Sequence, residues 1–591
     1  MEAEPEASSE DSPAAPSLPI DWRIVLGGLF VVALVLRAIH FREIGLHDPF
    51  YQIGSVDGKL YDEGARALLE GEGFGDGVLF LGPLYPTFIA GVYALFGKSL
   101  AAVKAVQVVL GALSCVLVGE ITKQVFGRPA GVLAGLAAAF YGQHIFYSGT
   151  VMIVNLQVPL VLGVILTALH GLRRPAFGIW IVCGALVGLS ALARQTTLLL
   201  APILALWILF GMEGAHSFRQ RFAWGTAFGV TICALILPFT VRNYVVGDDL
   251  VLLNSTGGYN FYMGNQRRAD GTWQLPRIDW PYRVDNPIAM RDAFTGVAER
   301  ELGRELRPSE VSSYWRSRGF DEIRADPARW LALQTKKALL FVNEAEIWNN
   351  RSKEVSRRFS AVLRMPLVEM GWIAPLGLLG LILSASRWRE LLPLHATLAV
   401  YLVAALLFFV LSRYRLPATF ALLPFAAFAV VDLIRTARAR KLRPFAASVV
   451  LLGVFTVLVH GNLVKDNRLH MAFYNLGNKY RALERYEEAV RAYGESLQRQ
   501  PNAISTHNNL ALALEEGGYD QQAIEVWRVV AILGERIGSE SHVERAARRL
   551  RDLGFVEEAG EAAPNEDEDA PAEARTTVGG EEAVDNEPLT P

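Results

Sequence analysis

The sequence predicts an all-α protein that crosses a membrane about eleven times and ends in a soluble helical-repeat domain. Of its 591 residues, 52% are hydrophobic and 20% are charged, which is more apolar than an average soluble protein. Long apolar segments recur from residue 24 to residue 463. After about residue 470 the composition becomes soluble, and the apolar residues there follow a repeating helical spacing.

A membrane-spanning helix needs about 20 mostly apolar residues, and about eleven segments come close to that length. These candidate spans are 24–42, 99–122, 130–147, 151–170, 177–193, 196–212, 222–240, 366–384, 391–411, 416–434 and 445–463. Residues 83–97 are apolar but short, and their two prolines favour a re-entrant or interfacial helix. Residues 1–21 are acidic and rich in Pro, Ala and Ser, without a basic segment. We therefore expect a disordered tail there and a first span that is retained rather than cleaved as a signal peptide.

Loop charge predicts the orientation, because basic residues gather on the cytoplasmic side of membrane helices. With a cytoplasmic N-terminus and the spans above, every short basic loop falls on one side, including RTARARKLR at 435–443. This orientation places the loops 43–98 and 241–365, and everything after the last span, on the outer face. The longer loop has apolar residues at three-to-four spacing among charges, which predicts amphipathic surface helices. We expect a multi-pass protein of the cytoplasmic (inner) membrane whose membrane domain is 22–465.

The soluble part, 470–556, has the spacing of tetratricopeptide repeats (TPRs), which form an α-solenoid. The residues that follow this spacing are Leu476, Gly477, Tyr480, Ala489, Tyr493 and Pro501. A shift of 34 residues places Leu510 on Leu476 and Ala523 on Ala489, and 541–556 is expected to supply a capping helix. Two repeats alone form a thin core, so we expect this domain to lean on the membrane part or to dimerise. The acidic segment 557–591 is predicted to be a disordered tail.

The first outer loop contains the charged stretch SVDGKLYDEGARALLEGEGFG, from Ser55 to Gly75. Asp57 and Tyr61 are four residues apart and share a face of a short interfacial helix that is predicted to run to about Glu70. A carboxylate at the start of such a helix can accept a proton from an attacking hydroxyl group. It can also serve only as the helix cap. The spacing leaves both roles open.

Charged residues lie at the ends of the spans rather than at their centres, which argues against an ion-coupled transporter. In the predicted orientation a set of cations converges on the outer interface: Arg37, Lys104, Arg194, Arg242, Arg413 and Arg415. Single arginines at helix ends commonly reach the lipid headgroups. Several beside one acidic loop indicate a site for a lipid-linked phosphate, because guanidinium groups bind phosphate through two parallel hydrogen bonds.

The segment GGYNFYMGN, 257–265, is either a turn with an interfacial aromatic belt or a loop in which Tyr259 or Tyr262 stacks on a sugar. The His, Cys and Asp residues are not spaced as metal ligands, so no divalent metal is predicted. Nucleotide-binding loops are absent from the sequence as well, which fits a sugar donor that is already activated. We expect no required cofactor and no nucleic-acid partner.

Four blocks of sequence, in order, resemble the GT-C fold glycosyltransferases. The likeness is to the glycosyltransferase 39 group, which includes protein O-mannosyltransferases and the aminoarabinose transferases of lipid A. The first block is DGKLYDEGARALLEGEGF followed by PLYPTFIAGVYALFGKS; the others are ALARQTTLLLAP, LPFTVRNYVVGDDLVLLNSTGGYNFYMGN and RYRLP. Together they extend from about residue 24 to residue 435. The resemblance implies a GT-C-like membrane domain that uses a polyprenyl-phosphate-linked sugar.

The resemblance also implies roles for individual residues. Asp57 matches the first-loop aspartate, which acts as general base or positions the acceptor. Gly58 stands where many relatives have a second acid, which leaves Asp62 and Glu63 as alternatives. Arg242 and Arg413 match residues that contact the donor phosphate. The further candidates for substrate binding are Lys59, Tyr61, Arg194, Asn243, Tyr259, Lys337, Arg415 and Glu346, of which Glu346 equally fits a surface-helix role.

These observations predict an inverting glycosyltransferase that moves a sugar to a hydroxyl acceptor on the outer face of the membrane. Its expected partners are the lipid-linked donor, membrane lipids and an acceptor protein or glycan that the TPR domain recruits. One alternative is a catalytically silent scaffold that displays the repeats. Another is a lipid-linked oligosaccharide ligase or polymerase. Those enzymes rely on a histidine in a large outer loop, whereas the segment 241–365 contains none.

Overall fold

The computed structural model describes residues 21–51, 56–212, 216–278, 280, 286–464 and 468–555. Within these ranges the regular elements are helices, and the β pairing is limited to an isolated bridge between Tyr141 and Val368. The prediction of an all-α fold is therefore confirmed for the described residues. The predicted disordered tails, 1–21 and 557–591, lie outside them apart from Asp21, which caps the first helix.

The N-terminal half of the membrane part contains ten α-helices. They are α1 (Trp22–His47), α2 (Val56–Glu70), α3 (Leu84–Phe96), α4 (Leu100–Phe126), α5 (Arg128–Ala139), α6 (Gly142–Ser148), α7 (Val154–Arg173), α8 (Phe177–Ala193), α9 (Leu200–Leu206) and α10 (Phe218–Gly247). A 3-10 turn precedes α9 and a π-helical turn follows it, so that Gln195–Gly211 forms one apolar helical rod.

The rest of the membrane part comprises the outer-loop helices and four apolar helices. The outer-loop helices are α11 (Gly257–Asn265), α12 (Pro287–Leu302), α13 (Pro308–Ala325), α14 (Pro327–Val342), α15 (Lys353–Ser356) and α16 (Ala361–Arg364). The apolar helices are α17 (Met370–Leu383), α18 (Leu392–Leu407), α19 (Ser412–Arg438) and α20 (Leu442–Val459). The segment 241–365 thus contains helices, as its periodicity predicts.

Among the described residues, six helices are long and apolar enough to cross a membrane: α1, α4, α7, α10, α19 and α20. Five shorter apolar helices accompany them: α3, α8, the rod Gln195–Gly211, α17 and α18. The chain is therefore a multi-pass membrane protein. The number of eleven crossings stays a prediction, because length and composition alone do not decide whether the shorter helices cross.

The predicted span over 130–147 is wrong as a single helix, because the helix breaks after Ala139 and restarts at Gly142. Two interactions explain the break. The buried guanidinium of Arg37 donates to the carbonyl oxygens of Ala138 and Ala139, each at 3.3 Å, and takes acceptors that a continuing helix would use. At the break, the backbone carbonyl of Phe140 accepts a hydrogen bond from Val368, in the segment before α17.

The membrane helices pack closely where small residues face each other. A side chain at Gly119 would approach the Leu29 methyl group to 3.1 Å, and one at Gly135 to 2.5 Å, so the Leu29 side chain of α1 packs directly on glycines of α4 and α5. One hydrophobic cluster continues from these helices into the outer-loop helices, where it includes Tyr259 and Trp315. The outer loops are therefore anchored on the membrane helices.

The repeat domain consists of two helix pairs and a capping helix. Its helices are α21 (Leu469–Arg481), α22 (Tyr486–Arg499), α23 (Ile504–Glu516), α24 (Asp520–Ile537) and α25 (Glu540–Asp552). A side chain at Gly477 would approach the Tyr493 ring to 2.5 Å, which is the close helix approach that the repeat spacing predicts. The first pair leans on the membrane part, since Phe473 and Tyr474 share a hydrophobic cluster with Phe50 and Val355.

Candidate functional site

A cavity of about 740 Å³ lies where the first outer loop, the end of α8, α11 and the start of α19 converge. Its lining is mixed and includes leucine and phenylalanine side chains as well as charged and aromatic polar groups. Six of the site residues proposed from the sequence line this cavity: Asp57, Tyr61, Arg194, Tyr259, Arg413 and Arg415.

The central contact of the site is an ion pair between Asp57 and Arg413. Asp57 lies in the first turn of α2, where the unpaired backbone N–H groups of the helix favour an anion. Burial alone would raise the pKa of the Asp57 carboxyl group, but the opposite effects of Arg413, Asn350 and Arg194 together outweigh burial. The pKa therefore lies below its ordinary value, and Asp57 is an ionised carboxylate at neutral pH.

Tyr61 follows Asp57 by one helical turn and faces the same cavity, as the four-residue spacing predicts. Its ring packs edge-on against Tyr85, with the ring centroids 4.7 Å apart. Burial raises the pKa of the Tyr61 hydroxyl group, and the neighbouring Asp57 carboxylate raises it further. Tyr61 is consequently a neutral phenol that can donate a hydrogen bond into the cavity.

Arg194 brings a second guanidinium group into the cavity from the end of α8. Its backbone is extended, with φ −150° and ψ 120°, and this conformation ends the helix. The guanidinium lies over the ring of Tyr414, 4.0 Å from the centroid. Within the part of the chain that the structure describes, Arg194 has no carboxylate partner within 4.0 Å. A cation in this position is available to an anionic ligand.

Arg415 serves a different purpose from Arg413, although only two residues separate them. It pairs with Glu346 at 3.1 Å and donates to the backbone carbonyl oxygens of Leu340, Asn343 and Ala345. Burial would raise the pKa of Glu346, but the positive charges of Arg415 and Lys353 hold this pKa below its usual range. The pair fastens the end of the long outer loop to α19.

Tyr259 lines the cavity from α11, but Phe294 stacks on its ring with centroids 4.8 Å apart and 15° between the planes. Only the opposite face or the edge of the ring can therefore meet a ligand. Tyr262, the other candidate for stacking on a sugar, packs against Trp315, with the ring centroids 4.8 Å apart.

Five of the proposed residues do not line this cavity: Glu346, described above, and Lys59, Lys337, Arg242 and Asn243. Lys59 lies on the exposed face of α2, with its Nζ 4.0 Å from Glu63. Lys337 is buried beneath the long loop, where it donates to the carbonyl oxygen of Leu406 at 2.8 Å and lies 3.4 Å from the Asn265 side chain. Both positions are explained by backbone and surface contacts rather than by a ligand.

Arg242 and Asn243 both hold loops at the end of α10. Arg242 donates to the carbonyl oxygens of Gly75 and Gly77. Asn243 is buried; it accepts from the backbone N–H of Leu79 at 3.1 Å and donates to two carbonyl groups in 251–253. Because Phe80 and Leu252 line the cavity next to these held loops, Arg242 and Asn243 shape the cavity from outside it.

The sequence analysis missed several cavity residues, of which Tyr414 and Asn350 lie close to the charged groups. Tyr414 lies inside the quoted block RYRLP, and its aromatic ring between two arginines was an available signal. Asn350 lies in the long outer loop, and nothing in the local sequence distinguishes it from other surface asparagines. Within the described residues no three His, Cys, Asp or Glu side chains cluster as metal ligands would. The expectation that no metal is required stays a prediction.

Comparison with known families gives two matches. Residues 81–241 match the family described as dolichyl-phosphate-mannose-protein mannosyltransferase, and residues 470–503 match the tetratricopeptide repeat. No curated protein matches the chain in a sequence search.

Several solved structures are distantly similar. The Archaeoglobus fulgidus oligosaccharyltransferase with Zn and sulfate is 16% identical at a TM-score of 0.41, over 78% of this chain and 56% of its own. This chain thus spans little more than half of that enzyme. The Cupriavidus metallidurans ArnT bound to undecaprenyl phosphate is 14% identical at a TM-score of 0.31, over 71% of this chain and 79% of its own.

The Saccharomyces cerevisiae Pmt1-Pmt2 complex bound to its sugar donor is 13% identical at a TM-score of 0.30, over 46% of this chain and 39% of its own. Scores this low support no conclusion about the site. The two family matches confirm the resemblance that the sequence blocks carry. The chain thus joins a segment that matches the protein mannosyltransferase family model, at 81–241, to a segment that matches the tetratricopeptide repeat, at 470–503.

Proposed function

We propose that this protein is an integral-membrane inverting glycosyltransferase. It moves a sugar from a polyprenyl-phosphate donor to a hydroxyl acceptor at the outer face of the cytoplasmic membrane. The observation that carries the proposal is that one cavity holds an ionised carboxylate, Asp57, and a guanidinium, Arg194, that has no carboxylate partner among the described residues. A base and a phosphate ligand are the two groups that this transfer needs. The family match over 81–241 supports the same reaction class.

In the proposed reaction, the acceptor oxygen attacks the anomeric carbon of the sugar from the side opposite the phosphate. The new bond joins that carbon to the acceptor oxygen, and the bond between the carbon and the phosphate oxygen breaks. The proton of the hydroxyl group passes to Asp57, and the electron pair leaves with the lipid phosphate. Arg194 stabilises the charge that develops on this leaving group. Attack from the opposite side inverts the configuration.

Arg413 holds the Asp57 carboxylate in place and limits its basicity. A carboxylate with a lowered pKa is a weak base, so its main contribution is to orient the acceptor hydroxyl group. It accepts the proton late, when bond formation has made the acceptor oxygen acidic. Tyr61 lines the same wall and offers a neutral hydroxyl group to the sugar or the acceptor.

The apolar wall of the cavity supports a lipid-linked donor. Leu198, Leu199 and Leu252 line it, and the Leu199 side chain also faces outward, with 44% of the residue exposed. A prenyl chain that leaves the cavity between these residues would remain in apolar surroundings. The sugar and phosphate would then lie at the charged end, near Arg194.

A comparison of membrane fractions tests the function. Glycoproteins and glycolipids are analysed by mass spectrometry from a deletion strain and from strains that express the wild type or Asp57→Asn at equal levels. We expect a product one sugar heavier only with the wild type. Identical profiles in all strains would contradict the proposal and favour the scaffold. A product that carries a whole oligosaccharide would favour the ligase alternative.

The proposal includes an orientation and two domains. The membrane domain 22–465 has a cytoplasmic N-terminus. The repeat domain 470–556 lies on the outer face of the cytoplasmic membrane, beside the active site, where it recruits an acceptor protein. A tag at residue 591 should be removed by protease in intact spheroplasts. A protected tag would contradict this orientation. We further propose that no divalent metal takes part, so transfer should persist in EDTA.

A further inference from the structure

One segment of the long outer loop connects the cavity to the repeat domain. We name residues 348–359 the strap. At its first end, Asn349 and Asn350 line the cavity that Asp57 also lines. At its other end, Val355 and Phe359 belong to the hydrophobic cluster formed by α21 and α22. The strap therefore contacts the reacting groups and the first repeat at the same time.

The contact between the strap and the first repeat is specific. Arg358 forms a two-pronged ion pair with Glu495 of α22, with one N–O distance of 2.7 Å. Its guanidinium also lies 4.6 Å from the ring centroid of Phe473 in α21. A bidentate arginine–carboxylate pair fixes direction as well as distance. The neighbouring Arg357 instead pairs with Glu354 of the strap itself, at 3.2 Å.

The middle of the strap is tied to the membrane part. Arg351 pairs with Asp48, whose carboxylate is buried at the end of α1, and Lys353 pairs with Glu369 at 2.6 Å. The first repeat also touches the opposite wall of the cavity. Arg468, which caps α21, donates to the carbonyl oxygen of Trp273 at 3.0 Å, and Trp273 lines the cavity.

Asn350 is the residue through which the strap reaches the site. Its amide is close enough to Asp57 to help lower the pKa of that carboxyl group. Its Nδ2 atom is shielded from solvent and makes no hydrogen bond of good geometry, although the Asp57 carboxylate lies nearby. A buried N–H group that makes no good hydrogen bond destabilises the protein. Binding of a ligand oxygen that accepts a hydrogen bond from Nδ2 would relieve this cost and is therefore favoured. The acceptor hydroxyl group that meets Asp57 supplies such an oxygen.

We propose that the first repeat, acting through the strap, positions Asn350 beside Asp57, so that the repeat domain and the membrane domain build the acceptor subsite together. This inference rests on the proposed function for the identity of the acceptor. Asn350 is a positioning residue that holds the acceptor oxygen, and the Arg358–Glu495 pair holds Asn350.

Hydrogen exchange measured by mass spectrometry on the full chain in detergent tests the structural part without any substrate. Arg358→Met is compared with Arg357→Met, an equal loss of charge one residue away that leaves the repeat contact intact. We expect exchange in 348–359 and at the start of α2 to accelerate about tenfold in Arg358→Met. Arg357→Met should match the wild type in α2. Equal exchange in the two variants would overturn the inference.

Transfer kinetics test the functional part. Arg358→Met and Asn350→Ala should raise the KM for the acceptor about tenfold and leave the KM for the donor unchanged. The double variant Arg358→Glu/Glu495→Arg, which restores the ion pair with the charges exchanged, should have an acceptor KM close to that of the wild type. A raised donor KM, or no change in either KM, would overturn the inference. If the wild type transfers no sugar while exchange still responds to Arg358→Met, the proposed function fails and the coupling of strap and repeat stands.

Discussion

Arg413 and Asp57 form an ion pair across 356 residues of chain. The pair joins the start of α19 to the first turn of α2, and so connects the first outer loop to a helix near the end of the membrane part. Both residues lie outside the segment 81–241 that matches the mannosyltransferase family. Their contact orients the only carboxylate that lines the cavity in the described part of the chain.

Asp57→Asn should reduce the rate of transfer by about 10²–10⁴-fold, because the amide cannot accept the acceptor proton. Membrane insertion should be unchanged, as judged by membrane abundance and by gel filtration in detergent. Asp62→Asn is the matched control, since Asp62 lies on the same helix but binds Arg66 and Tyr93 away from the cavity. Loss of activity in Asp62→Asn alone would move the role of base to that residue.

The dependence of transfer on pH should reveal the ion pair. Arg413 holds the pKa of Asp57 below its usual range against the effect of burial, so wild-type kcat/KM should fall only at acid pH. In Arg413→Met the effect of burial is opposed only by the smaller effects of Asn350 and Arg194, so the pKa of Asp57 rises and the acid limb should move to higher pH. Profiles measured from about pH 4 to about pH 8 show this shift. An unchanged acid limb would mean that another group is the base.

The lowered pKa of Asp57 in the wild type also affects the stability of the fold. The pKa of Asp57 is lower in the folded protein than the ordinary value of ~3.9. A group of this kind stabilises the fold at pH above the unfolded pKa, and the contribution is lost as the pH falls through the folded pKa. The loss is therefore confined to acid conditions.

Much of the fold could be predicted because it depends on local composition. Hydrophobic length locates apolar helices such as α7, α10 and α19, and the repeat spacing of Leu476, Gly477 and Tyr493 locates the TPR pairs. The break after Ala139 could not be predicted, since it depends on Arg37, a residue about a hundred positions away that takes its carbonyl groups. Long-range polar contacts in an apolar segment leave no periodic signal.

The site residues also divide into those that the local sequence indicates and those that depend on long-range packing. Asp57, Arg194 and Arg413 could be proposed because charge beside an apolar helix is conspicuous in a sequence. Arg242 is just as conspicuous, but its guanidinium is used by the carbonyl groups of a neighbouring loop. Asn350 escaped notice because its importance comes from its distance to Asp57 in space. Residue type predicts which groups can bind a ligand, and only packing decides which of them are available to one.

The two arginines Arg194 and Arg242 should behave differently when replaced. Arg194→Gln should raise the KM for the donor about 10–100-fold, since a hydrogen bond to a charged group contributes about 1.5–3 kcal/mol. Arg242→Gln should leave the donor KM nearly unchanged and lower the thermal midpoint, because it frees the loop at Gly75 and Gly77. Donor titration and thermal unfolding in detergent measure both effects. The reverse pattern would restore Arg242 as the phosphate ligand.

Lys337 should make stability depend on alkaline pH. Burial lowers the pKa of this lysine to about 7, and nearby Arg329 adds to the effect. The unfolded chain, with a lysine pKa of ~10.4, then binds more protons than the folded chain at pH between these values. The free energy of unfolding therefore rises as the pH rises from about 7 to about 10.4.

Thermal unfolding at several pH values checks this effect. The wild-type midpoint should rise by about 2 °C or more between neutral and alkaline buffer. Lys337→Met should flatten the dependence, whereas Lys336→Met, at the adjacent half-buried position, should keep it. A midpoint that rises equally in the wild type and in Lys337→Met would assign the effect to another group.

The adjacent glycines Gly257 and Gly258 at the start of α11 should differ sharply in their tolerance of alanine. A methyl group at Gly258 would lie 1.8 Å from the backbone carbonyl oxygen of Ser312, and a backbone atom cannot move aside as a side chain can. A methyl group at Gly257 would meet no surrounding atom of the described residues within 4 Å. Gly258→Ala should therefore destabilise the protein by about 1–3 kcal/mol or more and displace Tyr259, which follows it in the cavity wall. Gly257→Ala should be close to neutral.

Thermal midpoints of the two variants, measured side by side, should separate by several degrees, and equal midpoints would contradict the close contact between α11 and α13.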